Sequence, residues 1–216
     1  MLIGVKKRFI FVANTKTAST SIEDALVPYA EIMCAGTSER KHISLPNAFS
    51  EYQFLFGQPN YAMDRFFKFG VMRDPLDWIG SWYRYRKGNQ VQSPLPAEMD
   101  FEAFWANKDW NIQRGDGAKH LQRDMFIGAK GHLWADVIIP YHKLSELFGE
   151  ICTLLHVPAP LPRKNVSVLS DTGIIPPALQ EEMREFYAAD YALWDQLDTI
   201  NEAGMDKLRG RHQKRA

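Results

Sequence analysis

Short apolar runs alternate along the chain with longer amphipathic segments. Phe9-Ile10-Phe11-Val12-Ala13 is continuous, apolar and too short for a helix, the pattern of a strand buried on both faces. A polar loop, Asn14 to Ser19, follows. Ile22, Ala25, Leu26, Tyr29 and Ala30 then recur at helical spacing. Thr20 with Glu23, and Ser21 with Asp24, offer two registers of capping box for that helix. Ile32 to Ala35 is a second short strand candidate. Ser44 to Phe56 predicts a helix with Ser44 as N-cap and Pro46 in its first turn. Phe66 to Met72 reads as a strand that ends in Arg73-Asp74-Pro75, where Asp74 and Pro75 make a helix start. Trp78, Trp82 and Tyr85 then share one helical face, which reads as core, with Arg84 and Arg86 off it. Lys87 to Glu98 is rich in Gly, Pro, Gln and Ser and predicts a surface loop. Asp136 to Pro140 is a third strand, followed by helical spacing from Leu144 to Leu155; Pro158, Pro160 and Pro162 interrupt it. One long helix is expected from about Pro177 to Leu197.

This alternation predicts an α/β fold with a largely parallel central sheet flanked by helices in three layers. Residues 1–200 are expected to form one domain. Residues 201–216, with Lys207, Arg209, Arg211, Lys214 and Arg215, are expected to form a basic, frayed tail. The 216 residues suit one domain at roughly 100–200 residues each. Lys plus Arg and Asp plus Glu both total 26, so a surface built to coat nucleic acid is not expected. Cys34 and Cys152 make no disulfide framework and no Cys-x-x-Cys pair, which predicts buried thiols and a cytoplasmic setting. Lys6, Lys7 and Arg8 precede an apolar run too short for the roughly 7–15 residues of a signal-peptide core. No run approaches the roughly 18 apolar residues of a membrane span.

In α/β folds, ligands bind beyond the carboxyl ends of the strands. That directs attention to Asn14–Ser21 and Arg73–Ser81. The first loop opens a helix, whose N-terminal N–H groups and dipole favour an anion. Thr17, Ser19, Thr20 and Ser21 add hydroxyls, and Lys16 adds a charge that can reach phosphate oxygens. The same residues also suit an ordinary capped helix with a solvated lysine. A Walker A loop is absent, because Thr15 precedes Lys16 and no glycine lies between Gly4 and Gly36. In the second loop Arg73 supplies a planar, permanently charged fork, and Ser81 lies about two turns into the next helix. No His-Glu-x-x-His or comparable metal-ligand spacing occurs, and no metal is expected.

Taken together, the two loops resemble those of the sulfotransferases that use 3′-phosphoadenosine 5′-phosphosulfate (PAPS), in their carbohydrate-type and bacterial branch. Thr15-Lys16-Thr17-Ala18-Ser19-Thr20-Ser21-Ile22 resembles the family's 5′-phosphosulfate loop. Val71-Met72-Arg73-Asp74-Pro75 with Ser81-Trp82-Tyr83-Arg84 resembles its 3′-phosphate motif. Asp136 to Leu144, Arg163-Lys164-Asn165-Val166-Ser167 and Phe186 to Tyr191 are similar to later segments of the family, in the same order. Thr15 and Ala18 stand where many relatives have Pro and Gly, and His142 where they often have an acidic residue.

The resemblance implies a P-loop NTPase-like sulfotransferase fold and sulfonate transfer from PAPS to a hydroxyl of a small molecule or glycan, leaving adenosine 3′,5′-bisphosphate. It implies that Lys16 stabilises charge on the departing phosphate. Thr17, Ala18, Ser19, Thr20 and Ser21 would hold the 5′-phosphate, Arg73 and Ser81 the 3′-phosphate, with Lys164 and Asn165 approaching the nucleotide; Arg84 and Arg86, off the core face, could line the nucleotide or acceptor cleft. His42, in Arg40-Lys41-His42-Ile43-Ser44, is the candidate general base; a surface or N-capping histidine is the other reading. His120 is the runner-up base, with Gln122 nearby as a possible acceptor contact. Arg40 and Lys41 either meet an anionic acceptor or are solvated. Two other readings stay open: a catalytically silent module that binds a nucleotide or phosphorylated ligand, and a nucleotide kinase, which the missing Walker loop disfavours.

Overall fold

In a computed structural model, which describes residues 1–88, 93–158, 160–161 and 175–213, the chain folds as an α/β protein. The strands are β1 (Leu2–Gly4), β2 (Phe9–Val12), β3 (Ile32–Met33), β4 (Phe67–Met72) and β5 (Val137–Pro140), ordered β3-β1-β2-β4-β5 in one sheet. The helices are α1 (Ser19–Leu26), α2 (Ser38–Lys41), α3 (Leu45–Glu51), α4 (Gln53–Phe56), α5 (Pro75–Lys87) and α6 (Phe101–Ala106), then α7 (Leu144–Leu154), α8 (Pro177–Phe186), α9 (Ala188–Trp194) and α10 (Leu197–Gln213).

The sheet is mixed, not largely parallel. β2 pairs with β4, and β4 with β5, in parallel, each pair joined through helices. β1 runs antiparallel to both β2 and β3. A short turn at residues 5–8 joins β1 to β2, and a connection that short permits only antiparallel pairing.

Alternate strand residues face opposite sides of a sheet. Phe9, Phe11, Phe69, Val71 and Ile139 pack with Ile22 of α1, Phe148 and Ile151 of α7, and Met205 and Leu208 of α10. Ile10, Val12, Met72 and Ile138 face the other way, against Leu45 and Ala48 of α3, Phe56 of α4 and Leu193 of α9. A third cluster, around Trp78, Phe104, Trp105, Met183 and Tyr187, joins α5, α6 and α8.

Asp74 caps α5 as its sequence predicts: its carboxylate accepts from Leu76 N at 2.9 Å and Asp77 N at 3.1 Å, with Pro75 in the first turn. Three local expectations change. The helix from Ser44 breaks at Tyr52 into α3 and α4. The helix from Pro177 breaks at Tyr187, whose ring is buried against Trp78 and Trp105. Neither capping box forms on α1, whose N-cap is Ala18, with no side-chain cap.

The expected frayed tail is instead helix through Gln213. Leu197, Asn201, Gly204, Met205 and Leu208 form its buried stripe. The Asn201 amide donates to Ile138 O and accepts from Ile138 N, both at 2.8 Å. A Cβ at Gly204 would lie 1.9 Å from Asp136 O, so only glycine allows so close an approach to β5.

Candidate functional site

The carboxyl ends of β2, β4 and β5 open into a cleft of about 630 Å³. It is lined by Thr15, Lys16, Ala18, Ser19, Thr20 and Ser21 from the first loop, and by Arg73, Ser81, Trp82, Arg84 and Tyr85 from the second loop and α5. Lys41, His42 and Tyr141 complete it. Residues far apart in sequence therefore meet where an α/β fold places its ligands.

The first loop leaves β2 through Asn14, whose Oδ1 accepts from Thr15 N at 2.8 Å. Lys16 and Ala18 have φ of 57° and 59°, in the left-handed region that costs an L-residue roughly 1–2 kcal/mol. Ala18 thus holds, without being glycine, the conformation that a glycine would adopt freely. Ser19, Thr20 and Ser21 form the first turn of α1, and no acidic side chain stands in that turn. Thr17 departs from expectation. Its hydroxyl donates to Asn14 O at 3.0 Å, and the residue is buried within the loop instead of lining the cleft.

Lys16 Nζ lies 3.7 Å from the Tyr85 ring centre and 5.6 Å from that of Trp82, within cation–π reach. Burial, reinforced by Arg73 and Arg84, lowers its pKa to about 8. Trp78 is core, as its spacing predicts, and donates its indole N–H to Thr15 O at 2.9 Å. Trp82, read from the same stripe as core, is buried in the cluster around Trp78 and also borders the cleft; Tyr85, read as core too, is exposed and walls the cleft beneath Lys16.

Arg73 is buried. Its Nε and Nη2 both donate to Asp77, its Nη1 reaches Lys16 O at 3.5 Å, and the Tyr141 ring centre lies 4.4 Å from its guanidinium carbon. Ser81 is buried on the same helix and lines the cleft. Arg84, expected off the core face as a residue that could line the cleft, does line it, and both its terminal nitrogens are buried without a hydrogen-bond partner among the described residues. Its nearest carboxylate oxygen is Asp77 Oδ1, 3.8 Å away. Thr15 Oγ1 and Trp82 Nε1, also from cleft-lining residues, are likewise buried without partners among the described residues. Arg86 is structural, bonded to Asp109, Asn111 and Ser93 O.

His42 ends α2. Its Nδ1 is 2.6 Å from Ala13 O; a carbonyl only accepts, so Nδ1 carries the proton and Nε2 keeps a lone pair. Desolvation holds its pKa below the usual imidazole range. The N-capping role falls to Ser44, whose hydroxyl accepts from Asn47 N. Lys41 lines the cleft, 3.2 Å from Glu23 and 3.4 Å from the Thr20 hydroxyl. Arg40 is exposed and does not line the cleft. His120 packs edge-on against Trp78 at 5.6 Å, outside the lining; desolvation lowers its pKa too. Gln122 is 1% exposed and bonded on all sides, so it is not an acceptor contact. Lys164 and Asn165 lie outside the described residues.

No family model, no curated protein and no solved structure matches the chain. Among the described residues no group of three or more His, Cys, Asp or Glu comes together to hold a metal ion. Nor is any helix among them long and apolar enough to cross a membrane.

Tyr141 escaped sequence reasoning, although the rule that singled out the ends of β2 and β4 applies equally to the end of β5. Of the two arginines expected off the core face, Arg84 lines the cleft and Arg86 does not; Arg84 stands three positions after Ser81, on the same helical face.

Proposed function

We propose that the protein is a PAPS-dependent sulfotransferase of P-loop-like fold that transfers a sulfonate group to a hydroxyl of a small molecule or glycan. The observation that carries this reading is the meeting of the two loops: Arg73 Nη1 approaches Lys16 O at 3.5 Å across 57 residues of sequence. A site for a nucleotide with phosphates on both 3′ and 5′ oxygens needs two such anion-binding loops side by side.

The side chains present fit that ligand. Four cations, Lys16, Lys41, Arg73 and Arg84, line one cleft. The buried Arg84 nitrogens, Trp82 Nε1 and Thr15 Oγ1 have donors or lone pairs that no group among the described residues meets. Unmet buried polar groups are costly, and a polar ligand satisfies them. The cleft volume is within the roughly 300–1,000 Å³ of small-molecule sites.

In this reading PAPS supplies the sulfonate group. The N-terminus of α1, with Ser19, Thr20 and Ser21, holds the 5′ side, and Lys16 stabilises charge developing there. Ser81, Arg73 and Arg84 hold the 3′-phosphate. His42, neutral at pH 7 with Nε2 unprotonated, takes the acceptor's proton.

Thermal shift with adenosine 3′,5′-bisphosphate, adenosine 5′-phosphate and ATP tests the site, since a ligand that binds the folded state raises Tm. The bisphosphate is expected to stabilise most. Stabilisation by ATP alone would favour a kinase. Transfer of labelled sulfonate to a panel of glycans and small alcohols tests the activity, and binding without transfer would leave a silent nucleotide-binding module.

A further inference from the structure

Behind the cleft one side chain joins both loops. Gln122, in a short 3-10 turn (Gln122–Met125), accepts through Oε1 from Asn14 Nδ2 and from Arg73 N, both at 3.1 Å. Its Nε2 donates to Arg73 O at 2.9 Å. Asn14 Nδ2 also donates to Val71 O at 3.1 Å. The amide therefore grips the start of the Lys16 loop and both backbone polar groups of Arg73.

This bridge begins where the sheet stops. The parallel register of β2 and β4 ends at the pair Val12 and Gly70. Past that pair the sheet no longer fixes the distance between the two chains; the Asn14–Gln122–Arg73 bridge holds them from behind, beside the direct bonds of Asn14 to Val71 O and Trp78 to Thr15 O. Gln122 is itself anchored: its N–H donates to Asp190 Oδ2 at 3.1 Å, and Arg123 N donates to Oδ1 at 2.8 Å. Asp190 is fully buried on α9. The anchor therefore belongs to the packed body of the protein and not to either loop.

We propose that Gln122 is a positioning residue that sets the separation of the two anion-binding loops and thereby selects ligands carrying two phosphates over ligands carrying one. At 1% exposure Gln122 cannot touch the ligand and acts only through Asn14 and Arg73. The proposal rests on the reading of the cleft as a site for a 3′,5′-bisphosphorylated nucleoside. A ligand that bridges two subsites gains from the second only when their spacing matches its own. A monophosphate engages one loop and is indifferent to the spacing.

The test compares dissociation constants for adenosine 3′,5′-bisphosphate, adenosine 5′-phosphate and adenosine 3′-phosphate in the wild type and in Gln122→Met, which is close in volume but lacks both polar functions. The bisphosphate's advantage over each monophosphate is expected to shrink by about tenfold, with the monophosphate constants unchanged. Gln122→Glu, which keeps the acceptor oxygens and loses the donor, is expected to restore part of the advantage. Equal loss for all three ligands would mark a merely structural residue and overturn the proposal, as would an undiminished advantage. A wild type with no preference for the bisphosphate would remove the underlying reading, and the proposal with it. Should Gln122→Met fail to fold, Asp190→Asn, which disturbs the anchor and leaves the Gln122 side chain in place, carries the same comparison with the same deciding outcomes.

Discussion

Asp77 holds Arg73 with both carboxylate oxygens from one turn further along α5, whereas Arg84 reaches the same carboxylate only at 3.8 Å. The two guanidiniums that share the cleft are therefore unequal. Arg73 is oriented before any ligand arrives, with its face against Tyr141. Arg84 keeps both terminal nitrogens buried and, among the described residues, without hydrogen-bond partners.

Arg84→Gln separates binding from stability. Removing a buried, incompletely paired charge removes a desolvation cost, so the ligand-free Tm is expected to be no lower than that of the wild type. The rise in Tm produced by adenosine 3′,5′-bisphosphate should shrink, because a charge-assisted bond worth about 1.5–3 kcal/mol is lost. An undiminished ligand-induced rise would show that Arg84 does not contact the ligand.

Arg73→Ala should act differently. It leaves Asp77, which is largely buried, without its main partner, so both stability and bisphosphate binding are expected to fall. Binding of adenosine 5′-phosphate should fall much less. Calorimetric titration with the two ligands measures the difference, and equal losses would contradict a 3′-phosphate role.

Lys16 makes the ligand-free protein sensitive to alkaline pH. Its pKa is lowered from 10.5 to about 8, mainly by burial. Between those values the folded chain has released a proton that the unfolded chain keeps, so stability rises with pH across this window. Lys16→Met should flatten that rise in chemical denaturation run from pH 7.5 to 10. A bound phosphate restores the proton, so bisphosphate affinity should fall as pH increases above 8. Titrations in buffers of different ionisation enthalpy should then register proton uptake, and none in the wild type would sink this account.

His42 predicts the acid side of the activity profile. Its pKa lies below 6.5 because burial disfavours the imidazolium. The base form is therefore favoured at neutral pH and is lost as pH falls through that lowered value. The kcat/KM for transfer should show an acid limb below pH 6.5. In His42→Ala the limb should vanish and the rate drop by roughly 10²–10⁴-fold. An unchanged limb would assign the titration to another group.

Ala18→Gly tests the strained loop. The left-handed backbone costs alanine roughly 1–2 kcal/mol, against about 0.5–1 kcal/mol of extra chain entropy that glycine loses on folding. A small gain in stability is expected, read as a higher denaturation midpoint at unchanged slope. A clear loss would mean that the alanine methyl contributes contacts that outweigh the strain.

Much of the scaffold was legible because its signals are local. Phe9 to Val12 and Phe67 to Met72 announce buried strands by composition alone, and Asp74-Pro75 marks the start of α5 within a few residues. β1 went unseen because it contributes only Leu2, Ile3 and Gly4, and its place depends on pairing with Phe9, Ile10 and Phe11. In α10 the basic side chains drew attention from a helical stripe that begins at Leu197 and passes through Met205. Lys16, Ser19, Thr20, Ser21, Arg73 and Ser81 could be chosen from the two loops, and the fold brings them together. Gln122 could not be placed, because its role lies in bonds to residues 49 to 108 positions away. Nor could sequence spacing tell which face of the Trp78, Trp82 and Tyr85 stripe would border open space.

The Asn201 amide also bears on the open edge of the sheet. β5 is the last strand of the sheet, and its outer side would otherwise offer a backbone N–H and C=O to any passing extended chain. Asn201 occupies both groups of Ile138 as a neighbouring strand would. The helix expected to be a loose end therefore covers this edge of the sheet at Ile138. Asn201→Ala should expose that edge and lower Tm, with concentration-dependent light scattering on heating as the sign of strand-to-strand aggregation.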